Sequence, residues 1–139
     1  MDNGKPILEL RFRSRAEQLQ NMRRAVRKAV EPLGFSADDL QCIVLAVNEA
    51  CMNIIQHAYG TCQEGDIILE IFDQPQAVLF RLTDFATSVK ICDIKSRNLE
   101  DIRPGGLGVH LIQKIMDHVE YHNDPEGIGN TLLLQRLKR

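Results

Sequence analysis

Residues Ile7–Arg13 alternate apolar and charged, with Leu8, Leu10 and Phe12 set against Glu9, Arg11 and Arg13. That is the period of a strand with one face in a core. Ser14 and Glu17 then spell an S-x-x-E capping box, which predicts a helix opening there. Its apolar positions Leu19, Met22, Val26, Ala29, Val30 and Leu33 recur at helical spacing, and Gly34 is placed to end it. A second helix is predicted from Ser36, with Asp38 and Asp39 in its first turn, where the helix dipole favours negative charge. Leu40, Ile43, Val44, Val47, Cys51, Ile54, Ile55 and Ala58 give it one apolar stripe running toward Gly60. Two strands follow, Asp66–Asp73 and Ala77–Thr83, joined through Gln74, Pro75 and Gln76 as a hairpin.

Residues 86–106 carry no sustained pattern and lead into the run Arg103-Pro104-Gly105-Gly106-Leu107-Gly108. A long irregular segment in a compact domain commonly serves as a lid or binding loop. A third helix is predicted with Val109, Leu111, Ile112, Ile115, Met116 and Val119, then strands at Glu120–His122 and Thr131–Leu137. The order β-α-α-β-β-loop-α-β-β predicts an α/β (α+β two-layer) sandwich. Its sheet is mixed but mostly antiparallel, with helices covering one face.

Composition narrows the classes. The 139 residues suit one domain spanning 1–139. A net charge of −2 with acids and bases interspersed argues against a nucleic-acid binder, which shows a basic excess or stripe. The basic residues Arg11, Arg13 and Arg15, with Arg23 and Arg24, read as a solvated face; a docking patch for an acidic partner is the alternative. Cys42, Cys51, Cys62 and Cys92 form no CxxC pair, and Cys51 lies on the apolar side of its helix as a small core residue. No signal peptide precedes the first strand, and no apolar run approaches the ~20 residues of a membrane span. The expectation is a soluble, cytoplasmic protein.

Three features carry candidate chemistry. On the second helix, Glu49, Asn53 and His57 stand one turn apart opposite the apolar stripe. Such a row is commonly plain solvated surface, yet a carboxylate can orient a hydroxyl and an amide oxygen is a hard ligand suited to Mg²⁺. His57, near the helix end, reads as a dipole partner rather than a catalyst. Asp84 follows an apolar strand; it is either a turn former or an acceptor for an exocyclic amine such as adenine N6. Gly105, Gly106 and Gly108 precede a helix, so backbone N–H groups there can approach an anion closely. The run is neither a P-loop nor a Rossmann fingerprint, and a hinge is the other reading.

Taken together, Glu49-Ala-Cys-Met-Asn53-Ile-Ile-Gln-His57-Ala58 resembles the first conserved box of the GHKL (Bergerat-fold) ATPases. Asp84 begins what looks like the second box, and Gly105-Gly106-Leu107-Gly108 resembles the third. The resemblance covers roughly residues 7–137 and is nearest to the bacterial anti-sigma-factor serine/threonine kinases. It implies Mg·ATP as cofactor, Glu49 as general base and Asn53 as the Mg²⁺ ligand. It further implies Asp84 at the adenine amine, and Ala86, Gly105, Gly106, Leu107, Gly108 and Thr131 around the nucleotide, with a lid before the third helix. The substrate it implies is a serine or threonine of a STAS-type anti-sigma-factor antagonist. A sigma factor is a second partner, and a homodimer is expected, with the first helix as its interface. An ATP-binding partner-switch module with little kinase activity is the alternative. One departure stands out: the usual second box is Asp-x-Gly-x-Gly, and here it reads Asp84-Phe85-Ala86-Thr87-Ser88.

Overall fold

A computed structural model describes residues 4–60, 63–87, 106–123 and 128–138. Strands β1 (Leu8–Arg13), β2 (Asp66–Asp73), β3 (Ala77–Thr87), β4 (His118–Asn123) and β5 (Ile128–Leu137) form one sheet. Their order is β1-β2-β3-β5-β4, and every neighbouring pair is antiparallel. Helices α1 (Leu19–Val30), α2 (Ala37–Asn53) and α3 (Gly106–Ile115) supply the second layer. The expected two-layer sandwich is therefore present, with a wholly antiparallel sheet rather than a mixed one.

Strand alternation assigns the two faces. Phe12, Ile67, Leu69, Ile71, Val78, Phe80, Leu82 and Leu134 point into the core and are buried there. From above they meet Leu19, Met22, Val26 and Val30 of α1, and Leu40, Ile43, Val44, Val47 and Cys51 of α2. The apolar stripe of α1 is thus consumed by the chain's own core, which leaves the basic face, not the apolar one, of the expected dimer helix at the surface. Burial pushes the Cys51 thiol up to about 12, so it stays protonated and packs as a small apolar group.

On the opposite face of the sheet the charges are paired. Arg11 and Arg13 reach Asp66, and Arg13 and Arg15 reach Glu64. Those guanidinium groups hold both carboxyls below their ordinary values. Arg11, Arg13 and Arg15 thus lie on a solvated face where two carboxylates offset part of their charge.

Local signals held in part. Ser36 caps α2 as expected, its hydroxyl accepting from the Asp39 N–H at 3.1 Å, and Gly34 turns the chain at φ +98°. The capping box at Ser14 is not formed. A 3₁₀ turn, Ala16–Gln18, precedes α1, and the Ser14 hydroxyl instead accepts from the distant Gly65 N–H at 3.1 Å. Val119 belongs to β4, not to the third helix. Among the described residues no helix is long and apolar enough to cross a membrane.

Candidate functional site

Glu49 and Asn53 lie on the last turns of α2, both half-buried although they occupy the face opposite the core stripe. Helix α3 packs beside α2. After Asn53 the helix changes character: Ile54–Tyr59 is a π-helical segment, closed by the Gly60 N–H donating to Ile55 O at 3.0 Å. Such widened turns recur at functional sites because they re-aim the side chains that follow. Here the re-aimed residue is Tyr59, buried at the end of the segment. His57 is half-buried on the same turn.

Asp84 is placed by the strand. β3 does not run out at Thr83 but continues to Thr87, because a bulge accommodates the extra length: Asp84 pairs Asn130 and Thr87 pairs Ile128. Phe85 and Ala86 together therefore oppose the single residue Gly129, which sits at φ +87°. A Cβ on Gly129 would lie 2.6 Å from Asp84 O, so glycine is what lets the strands close there.

The Asp84 side chain is 3% exposed. Its Oδ1 accepts from the Ala86 N–H at 3.0 Å and from Asn130 Nδ2 at 3.0 Å. Burial raises the carboxyl above its ordinary value, and these two hydrogen bonds oppose that shift. Ala86, where the family pattern has glycine, faces inward and its methyl is part of the core.

Tyr59 joins the two parts. Its hydroxyl donates to Asp66 O at 2.6 Å and accepts from the Phe85 N–H at 2.8 Å. The β2–β3 ladder ends at Ile67–Asp84, so the hydroxyl bridges the next backbone pair, where direct pairing has stopped. Gly65 makes room for the ring, since a Cβ there would come within 2.6–2.8 Å of it. Burial is the main reason the Tyr59 phenol sits above its ordinary value.

The third box opens α3, with Gly106, Leu107 and Gly108 forming its first turn, where backbone N–H groups have no helical acceptor. Gly105 and Ser88, and the segment expected to act as a lid, lie outside the described residues. The other end of α3 is fixed: Arg136, inward-facing on β5, donates from Nη1 to Ile115 O and from Nη2 to Asp39 Oδ1 at 3.1 Å. A cation at that terminus complements the helix dipole.

Thr131, expected at the nucleotide, pairs with Thr83 in register. Alternation puts it on the sheet face away from Asp84, and its neighbour Asn130 meets the carboxylate instead. Tyr59, Asn130 and Arg136 were missed by sequence reasoning. A usable signal existed only for Arg136, as a charge at the inward position after Leu132 and Leu134.

Known proteins resemble this chain in sequence and in fold. Residues 12–136 match the family model described as a histidine kinase-like ATPase domain. The chain is 30% identical over 138 residues to the serine-protein kinase RsbW of Bacillus cereus (strain AH820), covering 93% of this chain and 83% of that one. It is 29% identical over the same length to RsbW of Bacillus mycoides (strain KBAB4). Among solved structures, the RsbU and RsbW domains of a Mycobacterium tuberculosis protein superpose with a TM-score of 0.65 at 18% identity, over 95% of this chain and 33% of that one. The SiaB–SiaC complex of Pseudomonas aeruginosa gives 0.59 at 14% identity, over 93% of this chain and 89% of that one. The chain belongs to the histidine kinase-like (GHKL-type) ATPase family, among relatives named RsbW serine-protein kinases.

Proposed function

We propose that the protein is a Mg·ATP-dependent serine/threonine protein kinase that acts as an anti-sigma factor in a partner-switching system. Its proposed substrate is a STAS-type antagonist protein. The observation that carries this reading is the buried Asp84 carboxylate, anchored through one oxygen on the helix-covered face of the sheet. Glu49 and Asn53 lie on α2 in the helix layer, and the glycine-started α3 packs beside that helix.

The residues fit the nucleotide. Asp84 offers a fixed acceptor to the adenine amine. The first turn of α3, with Gly106, Leu107 and Gly108, offers N–H donors and a positive dipole end to the phosphates; Gly105 would extend that cradle. Asn53 offers one amide oxygen. Among the described residues no three His, Cys, Asp or Glu side chains converge as a ligand set. Asn53 would hold Mg²⁺ through its amide oxygen, and a cation that takes its remaining oxygens from nucleotide and water would need no such set.

Bound Mg·ATP supplies the γ-phosphoryl group and the charge that offsets it. Glu49 would accept a hydrogen bond from the incoming serine or threonine hydroxyl and take its proton as the oxygen bonds to the γ-phosphorus and the bond from that phosphorus to the β-phosphate oxygen breaks, ADP leaving. Phosphoryl transfer depends mainly on positioning and charge stabilisation, so one carboxylate with a ring of donors suffices. The kinase RsbW relatives support transfer to a protein; the sigma factor, the antagonist and a homodimer are carried by the family reading.

A second reading has one observation behind it. Ala86 fills with a core methyl the place of the second-box glycine, which fits an ATP-binding partner switch with little kinase activity. Titration calorimetry with ATP, with and without Mg²⁺, is the first test, followed by labelled-phosphate transfer to a STAS-type antagonist. Glu49→Ala is expected to keep ATP binding and lose transfer by about 100-fold or more. Asn53→Ala is expected to lose the Mg²⁺ dependence. Transfer at the wild-type rate in Glu49→Ala would sink its role, and ATP binding without any transfer by the wild type would select the second reading.

A further inference from the structure

Resting on the nucleotide-binding reading above, we propose that Tyr59 and Asn130 are positioning residues that set nucleobase selectivity by fixing Asp84 from two sides.

Tyr59 acts on the backbone. β3 is unsupported by direct pairing with β2 beyond Asp84 and is bulged against β5 between Asp84 and Thr87. A strand loosened on both edges would leave the Asp84 carboxylate free to swing. The Tyr59 hydroxyl removes that freedom by holding Phe85 N at 2.8 Å while it is itself tied to Asp66 O at 2.6 Å. The hydroxyl serves both partners at once, as donor to one and acceptor from the other. The ring is locked against Gly65, so the hydroxyl has little room to move.

Asn130 acts on the side chain. Its amide and the Ala86 N–H both donate to Oδ1, which fixes the carboxylate plane and assigns the outward-facing work to Oδ2. A base presenting an amine is accepted by Oδ2; a base presenting a carbonyl oxygen meets a carboxylate with no donor to offer. Tyr59 also ends the π-helical segment that begins directly after Asn53. The base-reading carboxylate is thereby tied to the helix that carries the proposed metal ligand.

The test is the ratio of affinities for ATP and ITP, which carry an amine and a carbonyl respectively at purine position 6, ITP also bearing a proton on N1. Both are titrated into the wild type, Tyr59→Phe and Asn130→Ala in the presence of Mg²⁺. The wild type is expected to prefer ATP by about 100-fold. Tyr59→Phe keeps the ring on Gly65 and deletes only the hydroxyl. It is expected to weaken ATP about 10-fold and leave ITP unchanged, so the preference falls to about 10-fold. Asn130→Ala is expected to do the same through Oδ1, and it carries the test should Tyr59→Phe not fold.

A ratio kept at the wild-type value in both variants, or equal weakening of ATP and ITP, would overturn the proposal while leaving the kinase reading intact. No binding of either nucleotide by the wild type would overturn the nucleotide reading, and this inference with it.

Discussion

The two halves of β3 obey different rules. From Val78 to Leu82 the strand pairs in unbroken register on both sides, and its inward residues Val78, Phe80 and Leu82 are fully buried hydrocarbon. Beyond Asp84 one neighbour is lost and the other is met through a bulge. The inward positions there are a carboxylate and a methyl, and a tyrosine hydroxyl takes the place of a ladder hydrogen bond. The first half is arranged for stability. The second departs from regular pairing at each step, and every departure orients Asp84. Local rules are broken where a site needs them broken, and the regular half supplies the stability that makes this tolerable.

Substitutions at graded positions test that division by chemical unfolding. Phe80→Ala, in the regular half, is expected to be the most damaging, at about 3–5 kcal/mol. Gly129→Ala forces a side chain onto a backbone at φ +87° and against Asp84 O, with an expected cost of about 1–3 kcal/mol. Ser14→Ala strands the Gly65 N–H and is expected to cost about 1 kcal/mol.

Asp84→Asn is expected to be mildest for stability, within about 1 kcal/mol at neutral pH, because it removes a buried charge while keeping an acceptor oxygen. Its effect on ATP affinity is expected to be large. Were it to unfold the protein as Phe80→Ala does, the division would be wrong and the carboxylate a structural element.

The pH profile sharpens the same point. The folded state holds the Asp84 proton more tightly than the unfolded chain does, since its carboxyl is raised above the ordinary value. The contribution is fully present below the unfolded carboxyl's value, about 3.9, and is lost as pH rises through the raised folded value. The stability of the wild type relative to Asp84→Asn is therefore expected to fall across that window and to be flat on either side.

Much of this was legible in the chain, for identifiable reasons. Ser36 and Gly34 act within a few residues of themselves, and both behaved as local signals. The alternation in β1 and the stripe of α2 reported their faces because each is long and regular. Ser14 misled because a hydroxyl has more than one possible donor, and the one it took is 51 residues away. Glu49 and Asn53 lie on α2 as the helical period predicts, but their half-burial is a product of tertiary packing, which no helical period contains.

The π-helical segment was invisible, since one extra residue in a turn leaves the apolar stripe almost intact. With it Tyr59 was invisible too. Thr131 and Asn130 face opposite sides of the sheet because a strand's period is two, so a one-residue uncertainty reverses the face. Arg11, Arg13 and Arg15 read correctly as surface, yet the approach of Arg11 and Arg13 to Asp66 is set by the β1–β2 register.

The sheet order also bears on how the chain can be made. β4 leaves the ribosome before β5, yet β5 lies between β3 and β4. Until residues 128–137 are synthesised, β4 lacks its described partner strand, the bulge opposite Gly129 is unformed, and Asp84 lacks the Asn130 amide. Arg136, which ties the end of α3 to the start of α2, arrives last of all. A nascent chain can therefore pair β1, β2 and β3 before β5 emerges, and a ribosome-stalled fragment ending before β5 would lack the strand that completes the surroundings of Asp84.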